Sequence, residues 1–167
     1  METLVVLTTR SIEHVLGELP SSWKVAPDLP AGSTPGRSGL AGPVGAWLDF
    51  YGIVRDREPI PEPARARPGL PGQERRGALE GPITAIEYEA HPDMAQHQLE
   101  RLVERIGSKY PLHAMLVIHR IGRVPVGEAS LLVRVLSGHR QESLQACAEF
   151  IDELKKWIPI WKHPISP

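Results

Sequence analysis

A proline-dense stretch divides this chain and limits the structures that can form around it. Residues 58–82 read EPIPEPARARPGLPGQERRGALEGP. Proline has no backbone N–H to donate, so it is unsuited to a sheet ladder or a helix interior. The sequence therefore predicts a long loop, functional or poorly ordered, over about residues 57–82. A second irregular loop is predicted over residues 27–43, which are rich in Pro, Gly and Ser.

Five segments outside these loops have the pattern of strands. Each is short and rich in apolar residues. One of them alternates, with Ile86 and Tyr88 on one face and Glu87 and Glu89 on the other, which indicates a half-buried strand. The last two are joined by a turn over residues 122–127 and are predicted to pair as an antiparallel hairpin. The predicted strands cover residues 4–7, 44–54, 83–90, 114–121 and 128–136.

Three other segments have apolar residues at helical spacing. Ser11 is a suitable N-cap for the first helix. The second is predicted to begin at Asp93 with a capping box, because Gln96 follows three residues later. The third begins at the junction formed by residues 137–140 and ends before Pro159.

Strands and helices therefore interleave, and this order predicts an α+β fold in one domain over residues 1–167. Hydrophobic residues make up 41% of the chain and charged residues 23%, as in folded globular proteins. The net charge of -1 gives no overall attraction to nucleic acid or to a membrane surface, so an anion site must come from local clustering.

The cysteine content and the first residues bear on cellular location. Cys147 is the only cysteine, which excludes an internal disulfide and fits a reducing compartment. It lies on the apolar side of the third predicted helix, so we expect a small core residue rather than a reactive thiol. The first residues, METLVVLTTR, lack the basic region and long apolar run of a signal peptide. We therefore expect a cytoplasmic protein.

The junction before the third helix carries the first candidate site. His139 and Arg140 stand where the unpaired backbone N–H groups and the dipole of a helix favour an anion. An arginine adds a planar fork that fits a phosphate or a carboxylate, and Arg55, after the second strand, could add another. The alternative interpretation is an ordinary solvated turn.

Two lysines near the end of the chain form the second candidate group. Lys155 falls in the last turn of the third helix, and Lys162 follows Pro159 within an apolar segment. Trp157 and Trp161 flank this region and could desolvate it, which would suit a lysine for proton transfer or nucleophilic chemistry. The alternative is that both lysines complement the helix dipole with their ammonium groups in water.

The motifs together resemble the large subunit of molybdopterin synthase. The resemblance is carried by VIHRIGRVPVGEASLLVRVLSGHRQESLQACAEFIDELKKWIPIWK, by ITAIEYEAHPDMAQ upstream of it, and by FYGIVRD. It covers most of residues 44–162. It implies an α/β hammerhead fold, with helices packed on a mixed or antiparallel sheet, in a homodimer within a heterotetramer.

The resemblance also implies an activity and its partners. In this family, each large subunit receives the Gly-Gly thiocarboxylate tail of a small ubiquitin-like subunit. Two sulfurs are moved onto cyclic pyranopterin monophosphate, which produces the dithiolene of molybdopterin in molybdenum cofactor biosynthesis. No metal or organic cofactor is expected in this step. By resemblance, Arg55, His139 and Arg140 would bind anionic groups, and Lys155 and Lys162 would be the catalytic lysines.

The chain departs from the family pattern in three places. The family has a short loop after its VR-[DN] motif, where this chain has the proline-dense stretch, and here WKHPISP replaces the family's W-K-[KR]-E continuation. The Pro/Gly-rich loop near residue 35 also lengthens the N-terminal half. A non-catalytic relative that acts as a dimeric, partner-binding scaffold is the alternative. An unrelated phosphate-binding enzyme is a third hypothesis, and it predicts no affinity for a Gly-Gly tail.

Overall fold

The structure, a computed structural model, describes residues 1–20, 23, 44–59 and 80–167. The predicted loop over residues 27–43 lies outside the described residues. The same is true of residues 60–79 within the predicted loop over 57–82. The described elements include every strand and every helix that the sequence pattern predicts, and they add four further strands.

Four strands form the central sheet, in the order β1 (Glu2–Thr8), β6 (Leu112–Arg120), β8 (Ala129–Ser137) and β2 (Ala46–Ile53). Strands β6 and β8 are the middle pair, and nearly every residue of both is buried, which accounts for their almost continuous apolar sequences. They pair antiparallel as the predicted hairpin, β1 adds parallel to β6, and β2 adds antiparallel to β8.

Helices cover both faces of this sheet. Helix α1 (Ile12–Glu18) packs on one face, and α2 (Pro92–Lys109) and α3 (Arg140–Trp157) pack on the other. Successive side chains of β6 point to opposite faces, so Leu116 faces α1 while Val117 faces α2 and α3. No helix in the described part of the chain is long and apolar enough to cross a membrane.

Cys147 is a core residue of α3, as the sequence predicts. Only 4% of it is exposed, and it packs in the apolar cluster beneath α2 and α3. Burial raises the pKa of its thiol to about 11, so the thiolate is suppressed at neutral pH. The arrangement of a mixed sheet and three helices confirms the predicted α+β class.

A second sheet of three strands stands beside the first. Its central strand β5 (Ala85–Ala90) follows the predicted alternation, with Ile86 and Tyr88 buried. The sequence pattern misses the outer strands, because it indicates a turn at β7 (Gly122–Pro125) and no strand at β9 (Ile160–Ile165). Both are short edge strands whose partner β5 is distant in sequence, so no local pattern marks them.

The ends of the proline-dense stretch are also strands, which corrects the predicted loop. Strand β3 (Arg57–Pro59) pairs antiparallel with β4 (Glu80–Pro82), with Glu58 opposite Gly81. A two-stranded ladder uses only one edge of each strand, so half of the backbone N–H groups need no partner there. Proline can occupy those positions without breaking the ladder.

The start of α2 also differs from the prediction. The N-cap is His91 with Pro92 in the first turn, and Asp93 lies inside the helix rather than capping it. A proline preset for helical φ begins the helix two residues early, since its missing N–H is not needed there. Gln96 does not complete a capping box. Its amide donates to Val5 O at 3.0 Å, and its carbonyl oxygen accepts from Leu7 N at 3.2 Å.

These contacts generate a stability prediction. Gln96→Ala removes both hydrogen bonds to the edge of β1, so we expect the free energy of unfolding to fall by about 1–3 kcal/mol. Asp93→Ala removes only a charge near the helix N-terminus, and we expect a loss below about 1 kcal/mol. Urea unfolding of both variants measures the difference. A larger loss for Asp93→Ala would instead support the capping box.

Candidate functional site

A cavity of about 360 Å³ lies where the second sheet meets the end of β2 and the last turns of α3. Its walls come from elements far apart in sequence, because β5 and β9 face β2 and α3 across it. It is open on one side, so a ligand could enter without a change in the fold. The lining residues are Phe50, Tyr51, Gly52, Ile53, Arg55, Glu58, Ile86, Tyr88, His119, Ser130, Leu131, Ile151, Leu154, Lys155 and Lys162.

Three of the five predicted site residues line this cavity. Arg55 follows β2, Lys155 stands in the last turn of α3, and Lys162 lies in β9. Neither lysine forms an ion pair with a carboxylate of the described residues. Arg55 has one acidic partner, Glu58, at 3.3 Å. Two lysines and an arginine therefore face one small volume of space.

The surroundings of the lysines differ from the predicted ones. Lys155 and Lys162 are both exposed, and the flanking tryptophans do not line the cavity. Trp157 is 68% exposed and Trp161 is 49% exposed. Alternation along β9 turns Trp161 to the face opposite Lys162, where it packs against His91. The predicted desolvation by tryptophan is therefore wrong.

One aromatic ring does lie next to a lysine. Lys162 is directly opposite Tyr88 in the β5–β9 ladder, and its Nζ lies 5.8 Å from the centre of the Tyr88 ring. This is within the range of a cation–π interaction, which holds the ammonium by the face of a neutral ring. The contact orients Lys162 while leaving its N–H groups free for a ligand.

Buried, uncharged polar groups form the floor of the cavity. The hydroxyl of Tyr88 donates to Ser130 Oγ at 3.0 Å, and Ser130 Oγ donates to Gly52 O at 3.2 Å. Burial raises the pKa of Tyr88, with a further contribution from the negative charge of Glu58, although the hydrogen bond to Ser130 opposes both. The phenol therefore stays protonated at neutral pH and its ring is held in place.

His119 completes the floor. It is 4% exposed, and its ring meets Tyr88 edge to face at 5.5 Å. Burial lowers the pKa of His119 to about 4, with a smaller contribution from the charge of Lys162, while a backbone hydrogen bond to Arg120 O opposes the shift. The imidazole is thus neutral at physiological pH, and Nδ1 lies 2.7 Å from Arg120 O and donates to it in the neutral ring.

The sequence gives only weak signals for these floor residues. The signal for His119 is a titratable residue at the end of a nearly continuous apolar strand. No local signal marks Ser130, because its place in the floor depends on strand pairing that brings it to Tyr88. The chemistry of the whole cavity, a neutral floor below cationic groups, suits an anionic ligand.

The other two predicted residues lie elsewhere in the chain. His139 is the N-cap of α3 and Arg140 is its first residue, and both are exposed. Lys155 lies near the opposite end of the same helix. The rise of an α-helix places Arg140 and Lys155 about 22 Å apart along its axis. One copy of the chain therefore brings Arg55, Lys155 and Lys162 together, but not the His139–Arg140 pair.

A second hollow, of about 440 Å³, lies on the outer side of α2 and α3. It is lined partly by Arg101, Arg105 and Trp157 but contains none of the predicted site residues. Arg105 is already paired with Glu153 at 2.7 Å. Elsewhere in the described ranges, no cluster of three or more His, Cys, Asp or Glu side chains is placed to hold a metal ion.

Comparison with known proteins identifies relatives of this chain. The family described as "MoaE protein" matches residues 70–157, more than half of the chain. The molybdopterin synthase catalytic subunit of Homo sapiens is 42% identical over 83 residues, which are 50% of this chain and 44% of the human protein. The protein of that name from Pyrococcus abyssi is 37% identical over 95 residues, 57% of this chain and 64% of that protein. The chain thus spans less than two thirds of either relative.

Two solved structures resemble nearly the whole chain. Molybdopterin synthase from Staphylococcus aureus has a TM-score of 0.62 at 21% identity, covering 98% of this chain and 90% of that one. A protein–protein complex of subunits 1 and 2 of molybdopterin-converting factor from Helicobacter pylori has a TM-score of 0.57 at 17% identity, covering 97% and 83%. At these identities the likeness shows the fold, and it confirms the fold predicted from the resemblance.

The environment of His119 predicts how stability depends on pH. Its pKa of about 4 in the folded chain lies below the ordinary value of 6.5. As the pH falls from 6.5 towards 4, the His119 imidazole therefore binds a proton in the unfolded chain but not in the folded chain. The stability due to the neutral ring is fully present above pH 6.5 and is lost across this window.

Between neutral pH and pH 4, we expect the free energy of unfolding of the wild-type chain to fall by on the order of 3 kcal/mol more than that of the His119→Gln variant. Urea unfolding over a series of pH values measures this, because the substitution leaves the other titrating groups in place. Identical pH dependence in the two proteins would show that His119 is not held neutral by burial.

Proposed function

The chain belongs to the MoaE protein family, and on that premise we propose that it is the catalytic subunit of a molybdopterin synthase. It would transfer sulfur from the thiocarboxylated tail of a small ubiquitin-like subunit to cyclic pyranopterin monophosphate. The observation that carries the proposal is the convergence of Arg55, Lys155 and Lys162 on one cavity. The names of the human and archaeal relatives point to the same activity.

The charge and size of the cavity suit this chemistry. The phosphate of the proposed substrate and the thiocarboxylate of the proposed partner are both anions, so each is attracted to the three cationic groups. A volume of about 360 Å³ is at the small end of the range for small-molecule sites. A nearly neutral chain thus offers a cluster of cationic groups at the point where the reaction would occur.

We assign the chemical step to Lys155 and Lys162. Both ammonium groups are exposed and free of carboxylate partners among the described residues, so a ligand can contact them directly. They would move protons and stabilise the negative charge that develops at the attacked carbons. Tyr88 would hold Lys162 in place through its ring, and Arg55 would bind an anionic group of the ligand.

We further propose that His139 and Arg140 reach the cavity from a second copy of the chain. The pair lies about 22 Å along α3 from Lys155, so it cannot serve the cavity of its own chain. The edge strand β2 carries three exposed apolar residues beside the cavity, Phe50, Tyr51 and Ile53. An exposed apolar edge of this kind fits a self-complementary homodimer interface.

The same proposal includes the partner and the location. The small subunit would bind each large subunit, giving a heterotetramer around a central homodimer. The Helicobacter pylori relative of this fold is itself a complex of two molybdopterin-converting factor subunits, which supports a two-subunit assembly. A cytoplasmic location agrees with a single, buried, reduced thiol at Cys147.

The first test is a single turnover with thiocarboxylated small subunit and the pyranopterin substrate. We expect the wild-type chain to form the dithiolene product and Lys155→Ala to lose activity by at least about a hundredfold, since a proton-transfer group is removed. Lys156→Ala is the matched control, because Lys156 is adjacent but pairs with Glu153 and does not line the cavity.

Two results would contradict these assignments. Equal activity of Lys155→Ala and wild type would remove Lys155 from the mechanism. A folded wild-type dimer that binds the small subunit yet forms no product would support the scaffold function in place of catalysis.

The second test concerns the shared site. We expect Lys155→Ala and Arg140→Ala to be inactive or weak alone, the latter through substrate binding. Co-expressed, they should recover about a quarter of wild-type activity, because half of the dimers are mixed and each mixed dimer has one intact site. No recovery, with mixed dimers demonstrated by differential tagging, would mean that His139 and Arg140 do not act across the interface.

A further inference from the structure

One carboxylate lies inside the cationic cavity. Glu58 lines the same space as Lys155 and Lys162, and its Oε1 accepts a hydrogen bond from Arg55 Nη2 at 3.3 Å. Every other titratable side chain lining this cavity, within the described residues, is a cation or is neutral at physiological pH. Glu58 is therefore the one negatively charged group among the described residues that line the cavity, and it contacts Arg55.

The fold directs Glu58 inwards. It is the middle residue of β3, opposite Gly81 of β4, and Ile83 N donates to Asp56 O just beyond the ladder. The Glu58 side chain is only 17% exposed, whereas that of its partner Arg55 is 66% exposed. The Glu58 side chain lines the cavity together with Tyr88 of the floor.

This pair differs from an ordinary surface ion pair. Two exposed groups would be screened by water and would have little effect on a ligand. Here the carboxylate is held by a backbone ladder and is mostly buried, and it is directed at the arginine assigned to an incoming anion. Any anion that binds Arg55 meets the negative charge of Glu58 at short range.

We propose that Glu58 is an internal competitor for the anion site, occupying Arg55 in the free chain and giving it up when a ligand's anionic group binds. The inference rests on the proposed function only in taking Arg55, Lys155 and Lys162 as ligand-binding groups. Glu58 lowers the affinity of the cavity for anions and speeds the release of an anionic product. It is therefore a residue that sets ligand affinity.

The test is the binding of inorganic phosphate, measured by calorimetry at fixed pH and ionic strength. We expect Glu58→Gln to bind phosphate about threefold to tenfold more tightly than wild type, because one competing charge is removed at short range. Glu89→Gln is the matched control. It removes the same charge from an exposed residue paired with His163 outside the cavity lining, so its affinity should stay within about twofold of wild type.

A double-mutant cycle separates competition at Arg55 from a general change in charge. If Glu58 acts through Arg55, most of the increase in phosphate affinity caused by Glu58→Gln should disappear in an Arg55→Ala background. An equal gain in both backgrounds would overturn competition at Arg55. The proposal would be overturned if Glu58→Gln unfolds thermally like wild type but binds phosphate with unchanged affinity. It would also be overturned if neither wild type nor any variant binds phosphate.

Failure of the proposed function gives a different result. A wild-type chain that binds phosphate and responds to Glu58→Gln, but forms no dithiolene product, contradicts the synthase activity and leaves the competition intact. A chain that turns over normally but does not respond to Glu58→Gln contradicts the competition alone. With turnover, Glu58→Gln should lower KM and slow product release, which a purely structural role would not do.

Discussion

The antiparallel pairing of β6 with β8 is the interaction on which the rest of the structure depends. Both strands are buried along nearly their whole length, so each must be covered on two faces, and α1 packs on one face while α2 and α3 pack on the other. The same pairing brings His119 and Ser130 to one end of the sheet, beneath the cavity. A change in register by one residue would exchange the two faces and separate this floor from the lysines.

The cavity combines a fixed, neutral floor with exposed charges at its opening. Tyr88, Ser130 and Gly52 form a chain of hydrogen bonds that leaves no charge beneath the ligand, and burial keeps His119 uncharged at neutral pH. The cations above are exposed, so a ligand can form charge-assisted hydrogen bonds with them directly. Under our proposal, Glu58 offsets part of that attraction. Affinity for an anion then depends on the balance of four side chains rather than on net charge.

Much of the fold could be predicted from local pattern. The structure confirms the predictions for long elements such as α2, α3 and the β6–β8 hairpin. Their buried positions follow a regular or continuous apolar pattern in the sequence, which makes them recognisable. The failures are short elements that need a distant partner. Strand β9 exists because it pairs with β5, and β3 exists because it pairs with β4 across the proline-dense stretch. The capping box predicted for Gln96 is wrong for the same reason, since its true partners lie in β1.

The sequence by itself determined the chemical groups, the α+β class and the family resemblance, because residue types, periodicity and motifs depend only on the order of residues along the chain. The sequence predicted Arg55, Lys155 and Lys162 as site residues but did not show that they lie in the same cavity. Only the tertiary structure decided that these residues share a cavity, that Glu58 lies among them, and that His139 and Arg140 are a helix length away. The physical reason is that strand pairing and helix length set distances between groups up to about a hundred residues apart in sequence, which no local pattern records.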